Sequence, residues 1–263
     1  MRRALTFLAP NMRPVYEFML RYAGERLGVA FDLAAGERYE DLSGGDLSFV
    51  CGLPYVLRTP PRQVPAPMEA LVAPVLTDPR CAGKPIYFSD VIVRRDSPFQ
   101  TFADLRGCRW AYNEPESQSG YGITRYTLLR RGETGGFFGE VIEAGFHQRA
   151  IQMVLDGEID AAAIDWQVLA VERRDHPDVS EQLRVIDAFG PSTIQPVAVA
   201  PHLPDDLKAG LRAVFTTMHD DPAARAVLER GFIERFVAVT DSDYDDIRAM
   251  LAACEAADFL ILK

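Results

Sequence analysis

Leu5 to Ala9 is a short apolar run, Val15 to Leu27 carries apolar residues at helical spacing before Gly28, and Val29 to Leu33 is apolar again. The succession predicts a strand, an amphipathic helix stopped at a glycine, and a second strand. That β-α-β unit builds parallel sheets with helices on their faces. Tyr39-Glu40-Asp41-Leu42 then reads as a short helical segment ended by Gly44-Gly45, Leu47 to Cys51 as a strand, and Gly52-Leu53-Pro54-Tyr55 as a loop. The same grammar returns about a hundred residues later. A helix over His147 to Leu155 stops at Gly157, and Ala161 to Ile164 forms a strand before a loop at Asp165-Trp166. Gly45-Asp46-Leu47 and Gly157-Glu158-Ile159-Asp160 occupy equivalent places. The repetition predicts two α/β lobes whose loops, at the carboxyl ends of strands, face a shared cleft.

Two β-rich segments, Tyr87 to Val93 and Thr193 to Ala200, are placed to carry the chain out of the first lobe and back. The expected division is therefore 1–90 with 197–263 as the first lobe and 91–196 as an inserted second lobe. Asp205 to Met218, Pro222 to Gly231 and Ser242 to Phe259 read as helices closing over the first lobe. The Pro-rich stretch from Pro60 to Pro74 reads as an ordered, irregular loop.

With 263 residues and 48% hydrophobic content, the chain can bury a sizeable core. A net charge of −10 argues against nucleic acid as a general partner, because phosphate backbones are bound by clustered Lys and Arg. No apolar run reaches the length of a membrane span, so direct membrane insertion is not expected. Arg2-Arg3 followed by only Ala4 to Ala9 is too short for a signal-peptide core, which leaves a cytoplasmic location open. Cys51, Cys81, Cys108 and Cys254 form no C-x-x-C pair and have no zinc-ligand spacing. Cys51 and Cys108, in apolar strand-like contexts, are expected to be buried free thiols; pairing among the four stays open, and neither metal nor cofactor is expected.

Chemistry concentrates in Asn113 to Tyr121. The strand Arg109-Trp110-Ala111-Tyr112 ends there, and a helix from Tyr121 to Arg131 begins, with Ile123, Tyr126, Thr127 and Leu128 at helical spacing. Ser117 or Ser119 then stands at the N-cap. The first N–H groups of a helix lack internal partners and carry the positive end of its dipole, so an oxyanion can dock there. A serine that only caps its own helix satisfies the same pattern.

Taken in order, Tyr39-Glu40-Asp41-Leu42, Gly45-Asp46-Leu47, Tyr87 to Val93, Phe102 to Gly107, Ser117-Gln118-Ser119-Gly120-Tyr121, His147-Gln148-Arg149-Ala150 and Gly157 to Asp165 resemble the phosphonate and phosphite type of ABC-transporter substrate-binding protein. These belong to the type II periplasmic binding protein superfamily, and the resemblance runs from about Leu5 to about Val239. It implies a two-lobed α/β fold of mixed sheets flanked by helices, hinged to close on a small polar or anionic ligand, in the periplasm and serving an ABC permease. The family's ligand-binding positions fall on Tyr39, Tyr87, Ser117, Gln118, Ser119, His147, Glu158 and Asp165. Gln118 departs from the family, whose turn usually carries Thr, and Glu116 adds a negative charge beside Ser117.

The resemblance implies a binding protein without chemistry. Two alternatives stand beside it: a cytoplasmic ligand-sensing module, and an enzyme using Ser117 or Ser119 as nucleophile, His147 as base and Asp165 as orienter. The enzyme lacks a G-x-S-x-G elbow. A histidine near pKa ~6.5 predicts binding that tightens as His147 gains a proton.

Overall fold

In the computed structural model, which describes residues 1–263, the first strand is β1 (Arg2–Thr6), shifted toward the N-terminus from the expected run. Pro10 sets a single 3-10 turn, Pro10–Met12, that leads into α1 (Arg13–Leu27). Gly28 ends α1 with φ of 65°, a left-handed conformation that glycine adopts without steric cost. The amide of Val29 bonds back to Gly24 O at 3.1 Å, so β2 (Phe31–Ala35) starts two residues later than expected. A 3-10 segment, Tyr39–Gly44, precedes β3 (Leu47–Phe49).

One expected loop is regular structure throughout and another only in its last residues. Gly52–Leu57 forms α2, anchored because the Tyr55 hydroxyl donates to Asp241 Oδ1 at 2.9 Å and accepts from Ala70 N at 3.2 Å. The Pro-rich stretch is irregular through residue 68, as expected, and then enters β4 (Glu69–Leu76), in which every residue after Glu69 is buried. A strand covered on both faces shows no polar alternation, which hid it in the sequence. Pro74, normally foreign to an inner strand, pairs opposite Phe236 close to a register irregularity between Ile233 and Arg235.

The chain continues through β5 (Ile86–Arg94), β6 (Arg109–Tyr112), a π-turn Gln118–Gly122 and α3 (Ile123–Arg130). Next come β7 (Glu140–Glu143), α4 (His147–Leu155), β8 (Ala161–Asp165), α5 (Trp166–Asp175) and α6 (Pro177–Gln182). Trp166, expected in a loop, opens α5 because Asp165 caps it. Then β9 (Leu183–Thr193), β10 (Val197–Val199), α7 (Asp205–Thr217), α8 (Pro222–Arg230), β11 (Ile233–Ala238) and α9 (Asp245–Ala256) complete the chain.

These elements divide into two units, Met1–Ile86 with Thr193–Asp245, and Tyr87–Ser192 with Asp246–Lys263. The first holds a six-stranded mixed sheet in the order β11-β4-β10-β3-β1-β2; β1 runs parallel to β2 and β3, while β10 and β11 run antiparallel to their neighbours. The second holds a five-stranded sheet in the order β7-β6-β8-β5-β9. There β6 lies parallel to β7 and β8, and β5 antiparallel to β8.

The core of the second unit is aromatic: Trp110 stacks on Phe138 at 4.5 Å, and Phe102 on Phe137 at 5.0 Å. Residues 246–263, expected over the first lobe, pack here instead. Phe259 and Leu262 are buried in this cluster, and Arg125 donates to the carbonyls of Phe259 and Leu260 at 3.3 and 2.7 Å. Burying each such apolar side chain stabilises by about 1.5–3 kcal/mol, enough to decide where a chain end docks.

Candidate functional site

Because β7, β6 and β8 are parallel neighbours, Glu143, Tyr112 and Asp165 end at the same edge of the second sheet. Open α/β sheets bind ligands at such carboxyl ends. Two turns rise from that edge. One follows β6 and carries Ser117 to Ser119; the other follows β7 and delivers His147 as the first residue of α4. Backbone bonds from Ala144 N to Tyr112 O and from Gly145 N to Asn113 O, both 2.7 Å, hold the turns side by side.

Ser117 is the N-cap: its Oγ accepts from Gly120 N at 3.0 Å, and its carbonyl accepts from Tyr121 N and Gly122 N at 3.2 and 2.8 Å. Its hydroxyl is therefore partly committed to the cap. Ser117 Oγ and Ser119 Oγ lie 3.2 Å apart, and Ser119 Oγ lies 2.7 Å from His147 Nε2, so two hydroxyls and an imidazole form one buried chain. A Cβ on Gly120 would meet Asn113 Oδ1 at 2.1 Å, so glycine lets this turn sit against the end of β6.

Burial pushes the His147 pKa down to about 4, and no nearby charge opposes it. The imidazole is neutral at physiological pH, which corrects the expectation of a histidine poised to gain a proton near neutrality. Its Nδ1 is buried without a hydrogen-bond partner, as are both amide atoms of Gln148. Gln148 was absent from the candidates, and only the burial of its amide distinguishes it.

Asp165 is buried at the end of β8 and caps α5, accepting from Gln167 N at 2.8 Å and Val168 N at 3.4 Å. Desolvation dominates and raises its pKa to about 7; the two helix amides pull the other way, and Asp90 adds to the rise. Ser89 of β5, itself buried, lies directly across from Asp165. Tyr87, two residues earlier and on the same face, reaches the same sheet edge and is 2% exposed.

Three other candidates stand differently. The Gln118 amide is buried and directed at Ser192 Oγ (3.2 Å) and Met250 Sδ (3.3 Å), tying the turn to the end of β9 and to α9. Glu158 precedes β8 and so lies at the opposite edge from Asp165, roughly 16 Å of strand away, exposed and paired with Arg149 at 2.7 Å. Tyr39 belongs to the first unit, where its ring stacks on Phe7 at 5.1 Å and lies 5.0 Å from the Arg58 guanidinium. No group of His, Cys, Asp and Glu side chains is arranged to hold a metal ion, and no helix is long and apolar enough to cross a membrane.

The family described as "ABC transporter, phosphonate, periplasmic substrate-binding protein" matches residues 10–244. The phosphonates-binding periplasmic protein of Escherichia coli is 25% identical over 173 residues, covering 64% of this chain but 51% of the relative, so the chain spans about half that relative's length. Among solved structures, the binding-protein component of an ABC phosphonate transporter from Pseudomonas aeruginosa superposes with a TM-score of 0.83 at 18% identity, covering 98% of this chain and 87% of the other. A Prochlorococcus marinus protein in complex with methylphosphonate gives 0.82 at 15% identity and 98% of both chains. A Xanthomonas citri protein bound to ATP gives 0.67 at 18% identity, covering 99% and 100%. At these identities the structural likeness establishes a shared fold.

Proposed function

Because the chain belongs to the family of periplasmic substrate-binding proteins of phosphonate ABC transporters, we propose that it captures a small phosphonate- or phosphite-like oxyanion for an ABC permease in the periplasm, without chemically altering it. The observation that carries this reading is the linked Ser117, Ser119 and His147 chain at the opening of a helical turn. Hydroxyls and a neutral imidazole are donors that suit phosphoryl oxygens, and the helix dipole adds to them. Tyr87 and Asp165 flank that chain as further contacts. A carboxyl group with a pKa of about 7 is partly protonated at neutral pH, and in that form it donates to an oxyanion instead of repelling it.

The geometry argues against the enzyme. Ser119 and His147 make the contact of a nucleophile and its base, but a triad also needs a carboxylate on the far imidazole nitrogen. His147 Nδ1 has no partner, and the only atoms bonded to the Asp165 carboxyl group are the first amides of α5, which meet its Oδ1, so no carboxylate orients the imidazole. A base with a pKa near 4 is poorly matched to neutral pH.

A thermal-shift and calorimetric panel of methylphosphonate, phosphite, phosphate, sulfonates, carboxylates and amines tests the proposal. A ligand at about 100 times its dissociation constant stabilises the folded protein by ~2.7 kcal/mol. Stabilisation by phosphonates or phosphite, weakened in Ser119→Ala, is the expected result. Stabilisation only by carboxylates or amines would overturn it.

A further inference from the structure

The sheet of the first unit ends in two edge strands, β11 and β2. β2 is the terminal strand of its sheet, and a groove of about 670 Å³ runs between it and α1. Arg2 N bonds to Ala30 O at 2.8 Å and Gly36 N to Thr6 O at 2.9 Å, so the even-numbered residues of β2 face β1. By parity the N–H and C=O groups of Phe31 and Leu33 point outward. Arg13 Nη2 donates to Leu33 O at 2.9 Å and covers one of these carbonyls.

On the α1 side the groove is lined by Arg13, Glu17, Arg21 and Glu25. Spaced four apart, they form one row of alternating sign along the helix. Inverted about its middle, that row is its own complement: Arg13 meets Glu25, and Glu17 meets Arg21. The middle of the row is residue 19. Arg13 abuts Leu33 while Gly24 abuts Val29, so α1 runs antiparallel to β2 with residue 19 roughly level with Phe31. Phe31 is also the middle of residues 29–33, the strand residues that line the groove.

We propose that this face is a twofold interface between two copies of the chain, with β2 paired antiparallel to β2 across an axis at Phe31 and the charge rows of the two α1 helices opposed. Phe31 exchanges two backbone hydrogen bonds with Phe31 of the second copy, and Leu33 N donates to the carbonyl of Val29 across the axis. Asp32 falls opposite Ala30, so no like charges are brought together there. A strand from an unrelated protein satisfies the open edge equally well, but only an inverted copy supplies the matching row. Isologous contacts of this kind are self-complementary by construction.

The test is sedimentation equilibrium of the intact protein up to on the order of 100 µM, with Arg21→Glu and the double swap Glu17→Arg/Arg21→Glu. Dimerisation of the parent protein is expected, weakened at least about tenfold by Arg21→Glu and restored by the swap, which re-forms the pair with reversed sign. Amide exchange at Phe31 and Leu33 is expected to slow on association. A parent protein that stays monomeric at that concentration overturns the proposal. So does unchanged association in Arg21→Glu, a folded double swap that fails to recover, or association that leaves those two amides unprotected.

Discussion

Replacing His147 with Gln keeps a neutral hydrogen-bonding side chain beside Ser119 and removes a group whose protonation burial suppresses. The unfolded chain protonates this imidazole at pKa ~6.5, whereas in the folded state burial lowers the value to about 4. The folded value lies below the unfolded one, so the unfolded state binds the proton more readily between the two. The contribution is fully present above pH ~6.5 and is lost as pH falls through the folded value near 4. Linkage between those two values gives a relative loss of about 2.5 kcal/mol between pH ~7.5 and ~4.5. Other groups titrate over the same range, Asp165 among them, but neither residue contributes to the other's shift, so the difference between parent and variant isolates His147. Urea unfolding of both proteins across that range, without ligand, reads the difference directly. The parent should lose stability relative to His147→Gln as the solution is acidified, with a limiting slope of ~1.4 kcal/mol per pH unit for one proton. A constant difference across the range, or one of opposite sign, would refute the buried neutral imidazole.

Ser117→Ala removes an N-cap and leaves Gly120 N–H without its acceptor, so a loss of ~1–2 kcal/mol is expected. That amounts to roughly 2–8 °C in melting temperature by calorimetry; an unchanged melting curve would show that the cap contributes nothing. Asp165→Asn preserves a cap-forming side chain while removing a carboxyl whose folded pKa is raised to about 7, a group whose stabilising contribution is present below pH ~4 and lost as pH rises through ~7. The variant should therefore gain stability relative to the parent from pH ~4 to ~8, and a denaturation series showing no such gain contradicts the assignment. Glu158→Gln breaks an exposed pair with Arg149 at the far edge of the sheet, so stability should change by less than ~1 kcal/mol, with unaltered affinity for whichever oxyanion binds. A large loss of affinity would return Glu158 to the site.

Periodicity and glycine positions in the chain alone determined the α/β class, the helices α1, α4, α7 and α8, and the turn after β6 that carries the serines, because apolar spacing and stop signals are local properties. The same local signals failed for β4, whose two-sided burial erases the alternation that marks a half-exposed strand, and for α2, whose anchor is the distant Asp241. Parallel pairing of β6 with β7 and β8 brought Ser119, His147 and Asp165 to one sheet edge and sent Glu158 to the other. Residue type suggested a histidine ready to gain a proton; desolvation in the folded state made it neutral. Docking of residues 246–263 into the aromatic core of the second unit was equally beyond the sequence, because an amphipathic helix and a pair of apolar residues fit any core with an open face. A sequence records which side chains seek burial, whereas the partners they find, and the pKa values that follow, depend on contacts between residues far apart in the chain.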